Sequence, residues 1–143
     1  MNKVASISGR LSTAIVAAAV FALAGAAEVS GTKVTLSGAQ EVPPVTTSAS
    51  GSGTIVVGAD KAVSGSVTTS GIAGTAAHIH EAAAGSNGPV IIPLAKTSDN
   101  MWSLPAGSKL SDAQYDSYKA GKLYVNVHSA AHKDGEIRGQ IKP

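Results

Sequence analysis

Four histidines fall in two short segments of the chain. AHIHEAAAGSNGPV (Ala77–Val90) holds His78 and His80, and YVNVHSAAHKDGEIRGQI (Tyr124–Ile141) holds His128 and His132. On a β-strand, residues two apart share a face, so His78 and His80 point the same way with Ile79 between them on the other side. In LYVNVH the aliphatic set Leu123, Val125 and Val127 is the natural core face, which puts Tyr124, Asn126 and His128 on the opposite one. EIRGQI places Ile137 inward and Glu136, Arg138 and Gln140 outward. If these three strands are neighbours, His78, His80 and His128 meet on one polar face. Imidazoles at i and i+2 have Cβ atoms roughly 6–7 Å apart, and nitrogens reaching in from that span can bind one ion at ~2.0 Å each. A metal centre of His78, His80 and His128 follows, with His132, four residues beyond His128 in a turn, as a further ligand. An all-imidazole set suits copper first and zinc second, and is poor for calcium or magnesium. The plainer alternative is that the imidazoles bond carbonyls or carboxylates and order loops. Both readings stay open on the residues alone.

The elements that must position these residues are short and β-rich, punctuated by Gly, Ser and Asp. Strands are expected over Lys33–Gly38, Gly53–Val57, Ala62–Thr69, Thr75–Glu81, Pro89–Leu94, Leu123–His128 and Glu136–Ile141. Gly58-Ala59-Asp60-Lys61 reads as a hairpin turn. Pro43-Pro44 bars helix and central strand from GAQEVPPVTTSASG. The apolar run Pro89–Leu94 suits a strand covered on both faces. Ser111 with Gln114 three residues on forms a capping box, and Gly121 stops the helix so begun, giving one short helix over about 111–120. About seven strands and one helix predict an all-β, Ig-like β-sandwich or barrel.

Composition adds the compartment. Lys3 and Arg10 precede the apolar stretch LSTAIVAAAVFALAG and the small residues Ala24-Gly25-Ala26, the pattern of a secretory signal peptide over residues 1–26. Residues 27–143 then form a single domain that is periplasmic or extracellular and has no membrane attachment once the leader is removed. The chain has 11 basic and 9 acidic residues, and the two leader basics account for the excess. No basic run or aromatic platform remains, which excludes nucleic acid as a partner. The absence of cysteine excludes thiol catalysis and zinc–thiolate sites. There is no G-x-S-x-G elbow and no recognisable carboxylate pair, so no catalytic constellation is expected. Trp102, Tyr115 and Tyr118 read as core or helix-docking residues, Asn87-Gly88-Pro89 as the end of a strand connection, and Arg138 with Glu136 as a surface pair.

AHIHEAAAGSNGPVIIPL and GKLYVNVHSAAHKDGEIRGQI, with the earlier LSGAQEVPPVTTSASGSG, resemble the CHRD domain, first named from chordin, over about Val34–Ile141. His78 and His80 match the family's HIH, Asn87-Gly88-Pro89 its NGP turn, Tyr124–His128 its YVNVH and Gly135–Gly139 its GEIRG. The resemblance implies a compact Ig-like β domain outside the cytoplasm, with no established enzymatic activity in bacterial members. Chordin's growth-factor partners are not carried over. Glu81 stands where the family often has glycine, and could add a carboxylate. His132 stands where the family commonly has asparagine, so the resemblance carries over His78, His80 and His128 but not His132. A weaker likeness, an HxH on a strand of an exported barrel, is to copper–zinc superoxide dismutases; their cysteines and full histidine complement are missing here. The expectation is therefore a non-catalytic binding protein whose partner is a metal ion. The alternatives are an interaction module for another extracytoplasmic protein, and a copper redox enzyme of superoxide dismutase type.

Overall fold

A computed structural model describes residues 31–143; the expected leader and its cleavage site lie outside the described residues. Among the described residues nine strands run antiparallel in one sheet: β1 Thr32–Ser37, β2 Ser50–Val57, β3 Val63–Ser70, β4 Gly74–Glu81, β5 Val90–Pro93, β6 Ala95–Ser98, β7 Met101–Ser103, β8 Leu123–Ser129 and β9 Ile137–Ile141, with a single α-helix, α1, Asp112–Lys119. The strand order is β5-β4-β8-β9-β1-β2-β3-β7-β6. Only Leu94 separates β5 from β6, so the chain itself joins the two ends of the sheet. The backbone N–H of Leu94 donates to Ala77 O at 2.9 Å and Lys96 Nζ donates to Gly74 O at 3.1 Å. The sheet thereby curls into a nearly closed barrel.

Alternation within each strand fills the barrel. Val34 and Leu36 of β1, Ile55 of β2, Val67 of β3, Ile79 of β4, Val125 and Val127 of β8 and Ile137 of β9 are all at most 1% exposed. Each such side chain contributes about 1.5–3 kcal/mol by leaving water. Trp102 is buried with its ring close against the backbone of Gly74. The helix follows its sequence signals: Ser111 Oγ accepts from Gln114 N–H and Gln114 Oε1 accepts from Ser111 N–H. Tyr118 is buried and Tyr115 packs beside it. The 58–61 hairpin forms with Lys61 at φ 70.

Two expectations are corrected here. β6 and β7 raise the strand count from seven to nine; AKTS and MWS are too short to show an alternation. The Pro89–Leu94 run is not covered on both faces. β5 is an edge strand in which Val90 is 50% exposed and only Ile92 is buried, so one of its faces is open to solvent.

Candidate metal centre on the outer face

β8 lies between β4 and β9, as the polar rows require. His78 stands opposite Asn126 and His80 opposite Tyr124, while Asn126 faces Arg138 and Tyr124 faces Gln140. The parity is as expected, but this outer face is not open to solvent. The segments 38–49 and 82–89 fold across it, leaving Tyr124 and Asn126 1% exposed, Arg138 2% and His80 8%.

A stacked core of polar side chains results. The His80 ring lies parallel to Tyr124 at 4.8 Å, and the Arg138 guanidinium sits 3.9 Å over the other partner of that stack, Tyr124. Arg138 does not pair with Glu136. It binds Glu41 Oε2 through Nε and a terminal nitrogen, each at 3.1 Å, and donates to Ser86 O at 2.9 Å and to Asn87 Oδ1. Glu136 instead accepts from Thr47 Oγ1 at 2.7 Å. The error has a simple source: adjacency along one strand suggested a surface pair, whereas the loop carrying Glu41 covers the strand. Burial pushes the Glu41 carboxyl above its usual range, against the pull of Arg138. Asn87 also donates to Val42 O at 2.9 Å, and Gly88 N–H donates to the Tyr124 hydroxyl at 3.2 Å. The NGP turn thus straps the two covering segments together.

Under this strap three histidines converge. His78, His80 and His128 each offer one nitrogen within 4.8 Å of the others. His78 Nδ1 and His128 Nε2 are 3.1 Å apart, close to the about 3.3 Å that separates two nitrogens bound at ~2.0 Å to one tetrahedral ion. His80 is the more distant ring, 5.6 Å from His78 and 6.2 Å from His128 between centroids.

Two backbone carbonyls set the tautomers. Gly88 O lies 2.9 Å from His80 Nδ1, and Lys133 O lies 2.7 Å from His128 Nδ1. A carbonyl can only accept, so both Nδ1 atoms carry hydrogen, and in the neutral rings both Nε2 atoms keep a lone pair. His80 Nε2 is buried without a partner. Burial lowers the pKa of His78, helped by the neighbouring His128 and His80. Burial also lowers that of His80, against the Gly88 hydrogen bond. Both rings are held in the neutral form a metal requires.

His132 is not brought into this group. Its backbone closes the 129–135 turn through bonds with Ser129 and Gly135, and its side chain borders a separate cleft with Pro43 and Pro44. Four residues from His128 is far enough, once the strand has ended, to send the ring elsewhere. Glu81 is committed to Ser117 Oγ at 2.6 Å and adds no carboxylate to the centre. Tyr124 and Asn126 shared the histidine parity and were legible as neighbours of the site. Glu41 was not, because no pattern within an irregular Pro-Pro loop says where it lands.

An all-β barrel carrying one convergent set of imidazoles among the described residues is a domain organised around a single polar face. A family model of the CHRD domain matches residues 32–141, and the chain belongs to the CHRD-domain family. No curated protein and no solved structure matches it significantly. Among the described residues no helix is long and apolar enough to cross a membrane.

Proposed function

We propose that this chain is an exported CHRD-domain binding protein that holds one metal ion, copper first and zinc second, through His78, His80 and His128, without catalytic turnover. The observation that carries this reading is the lone pair on buried His80 Nε2, which has no partner and stands in a cluster whose other nitrogens converge on the same space. A buried polar atom left unsatisfied costs about 1–3 kcal/mol, and coordination would offset that cost. The carbonyl bonds at His80 and His128 resemble the outer-shell bonds that orient metal-ligating histidines. Nitrogen donors without thiolate or carboxylate favour copper over zinc, and both over hard cations. Export to the periplasm or cell exterior is supported by the charged-then-apolar leader.

The interaction-module alternative predicts histidines saturated by protein groups. Here His128 is bonded at both ring nitrogens, to Lys133 O and to His78 Nδ1, but His80 keeps a buried Nε2 without a partner, which favours metal. A redox role of superoxide dismutase type calls for a cationic group free to draw in an anion. Arg138 beside the cluster is consumed by Glu41, Ser86 and Asn87, which weighs against it. Elemental analysis of the secreted protein, followed by titration of the stripped protein with Cu(II), Cu(I) and Zn(II), tests the reading. One equivalent taken up, and lost in His128→Ala, is the expected result. A folded protein that takes up none of the three ions returns the chain to the interaction-module class.

A further inference from the structure

Beside the histidines opens a cleft of about 330 Å³, whose lining includes His80, Asn126, Tyr124, Val42, Pro43 and Asp134. Two of these residues have buried polar atoms without a partner, His80 Nε2 and Asn126 Oδ1. Both side chains are more than nine-tenths buried. Both atoms are acceptors, and the fold dictates this. Gly88 O takes the His80 Nδ1 hydrogen, leaving Nε2 with its lone pair. The Asn126 amide is oriented by the Glu41 carboxylate, which can only accept; Nδ2 faces Glu41 Oε1 at 3.5 Å, so the amide oxygen is the end left free. The cation on this lining, Arg138, is already engaged by Glu41, Ser86 and Asn87. An anion entering here would meet the bare lone pairs of His80 Nε2 and Asn126 Oδ1. A neutral molecule that brings its own hydrogen would meet what it needs.

We propose that the ion bound by His78, His80 and His128 keeps one coordination position open toward this cleft and takes there a small neutral protic ligand, whose hydrogen is accepted by Asn126 Oδ1. The inference rests on the metal reading above and adds the ligand class. His80 supplies the metal–nitrogen bond on the cleft side, Asn126 receives the N–H or O–H of the incoming ligand, and Glu41 and Arg138 act as positioning residues that fix the amide's orientation. Water is the resting occupant, and an N–H or O–H ligand of similar size replaces it. No bond within the ligand is broken and no electron is transferred.

The test uses the full secreted protein loaded with Co(II), a spectroscopic stand-in at nitrogen sites, and two small probes at near-neutral pH without oxygen: hydroxylamine, which is neutral and protic, and azide, which is anionic and aprotic. Hydroxylamine should perturb the Co(II) spectrum saturably, and azide should bind more weakly. Asn126→Leu should lower hydroxylamine affinity about fivefold, the worth of one neutral hydrogen bond, while azide affinity holds or rises. The ratio of the two is a readout that general loosening of the site would not move. Because Asn126 is buried, Asp134→Trp at the exposed edge of the cleft is the second variant; it should weaken both probes together and leave Co(II) affinity unchanged. A Co(II) spectrum indifferent to both probes, or an Asn126→Leu loss equal for the two, overturns the proposal while the metal reading stands. A folded protein that takes up no Co(II), Cu(II) or Zn(II) overturns both.

Discussion

Replacing Arg138 by methionine keeps most of the side chain's length and apolar stem and removes the guanidinium from the centre of the polar layer. Several partners lose it at once: the Glu41 carboxylate, Ser86 O and Asn87 Oδ1 as acceptors, and the Tyr124 ring as a stacking face. With both members of the ion pair 3% exposed, water cannot replace what is lost. Breaking a buried pair of this kind costs about 3–5 kcal/mol, a large part of the roughly 5–15 kcal/mol that holds a domain of this size. The cost should depend on pH in a definite direction. Burial already raises the Glu41 carboxyl above 4.5 with Arg138 present, and removing the cation raises it further. Folded Glu41 then holds a proton that unfolded Glu41 releases, so the variant loses stability as pH rises through that window. The deficit against the parent protein should be smallest near pH 4.5 and grow toward pH 7. His80 loses the repulsion of the Arg138 charge in the variant and takes up its proton more readily, which shrinks the deficit on acidification in the same direction. Urea unfolding of the metal-free parent and Arg138→Met proteins at two pH values measures it. The same variant should also weaken metal uptake, because Arg138 holds the Ser86–Asn87 strap from which Gly88 O orients His80. A deficit under about 1 kcal/mol at pH 7, or one that does not shrink on acidification, would refute the account of this layer as a buried and mutually dependent network.

Acidification should also destabilise the metal-free parent protein. His78 and His80 are held below the ordinary 6.5, so the unfolded chain binds protons that the folded chain does not, and stability falls as pH drops below 6.5 until the lowered folded values are reached. Thermal melts across that range should show the loss, and it should be smaller in His78→Ala. Gly135→Ala should cost about 2 kcal/mol or more in urea unfolding: Gly135 sits at φ 122, and a Cβ there would run into the Glu41 carboxylate and lie 2.6 Å from Asn126 Nδ2. Ser111→Ala removes the helix cap and should cost about 1 kcal/mol with no change in metal titration, which would separate overall stability from the state of the centre.

Strand parity made much of the candidate centre legible before any coordinates. Because a strand has a period of two, HIH and YVNVH each declare which residues share a face, and their aliphatic members declare which face is inside. The capping box at Ser111 and the 58–61 turn were legible for the same reason: their hydrogen bonds close within three or four residues. Much of the rest depended on contacts between distant parts of the chain. Nothing local to EIRGQI says that Arg138 will be roofed over by a loop from nearly a hundred residues earlier, so it read as a surface partner of Glu136. Nothing local to AHKDG says that His132 will leave the face that His128 keeps, since a turn has no fixed period. Nor does composition reveal that β5 ends at an unpaired edge, or that AKTS and MWS add two strands at the other end of the sheet. The sequence by itself determined the all-β class, the short helix and which histidines could share a face, because those follow from periodicity and short-range bonding. Tertiary structure alone decided that the polar face is buried, which ring nitrogens are left facing inward, and that Glu41 and Arg138 stand behind them, because burial and hydrogen-bond partnership are properties of segments brought together only when the sheet curls shut.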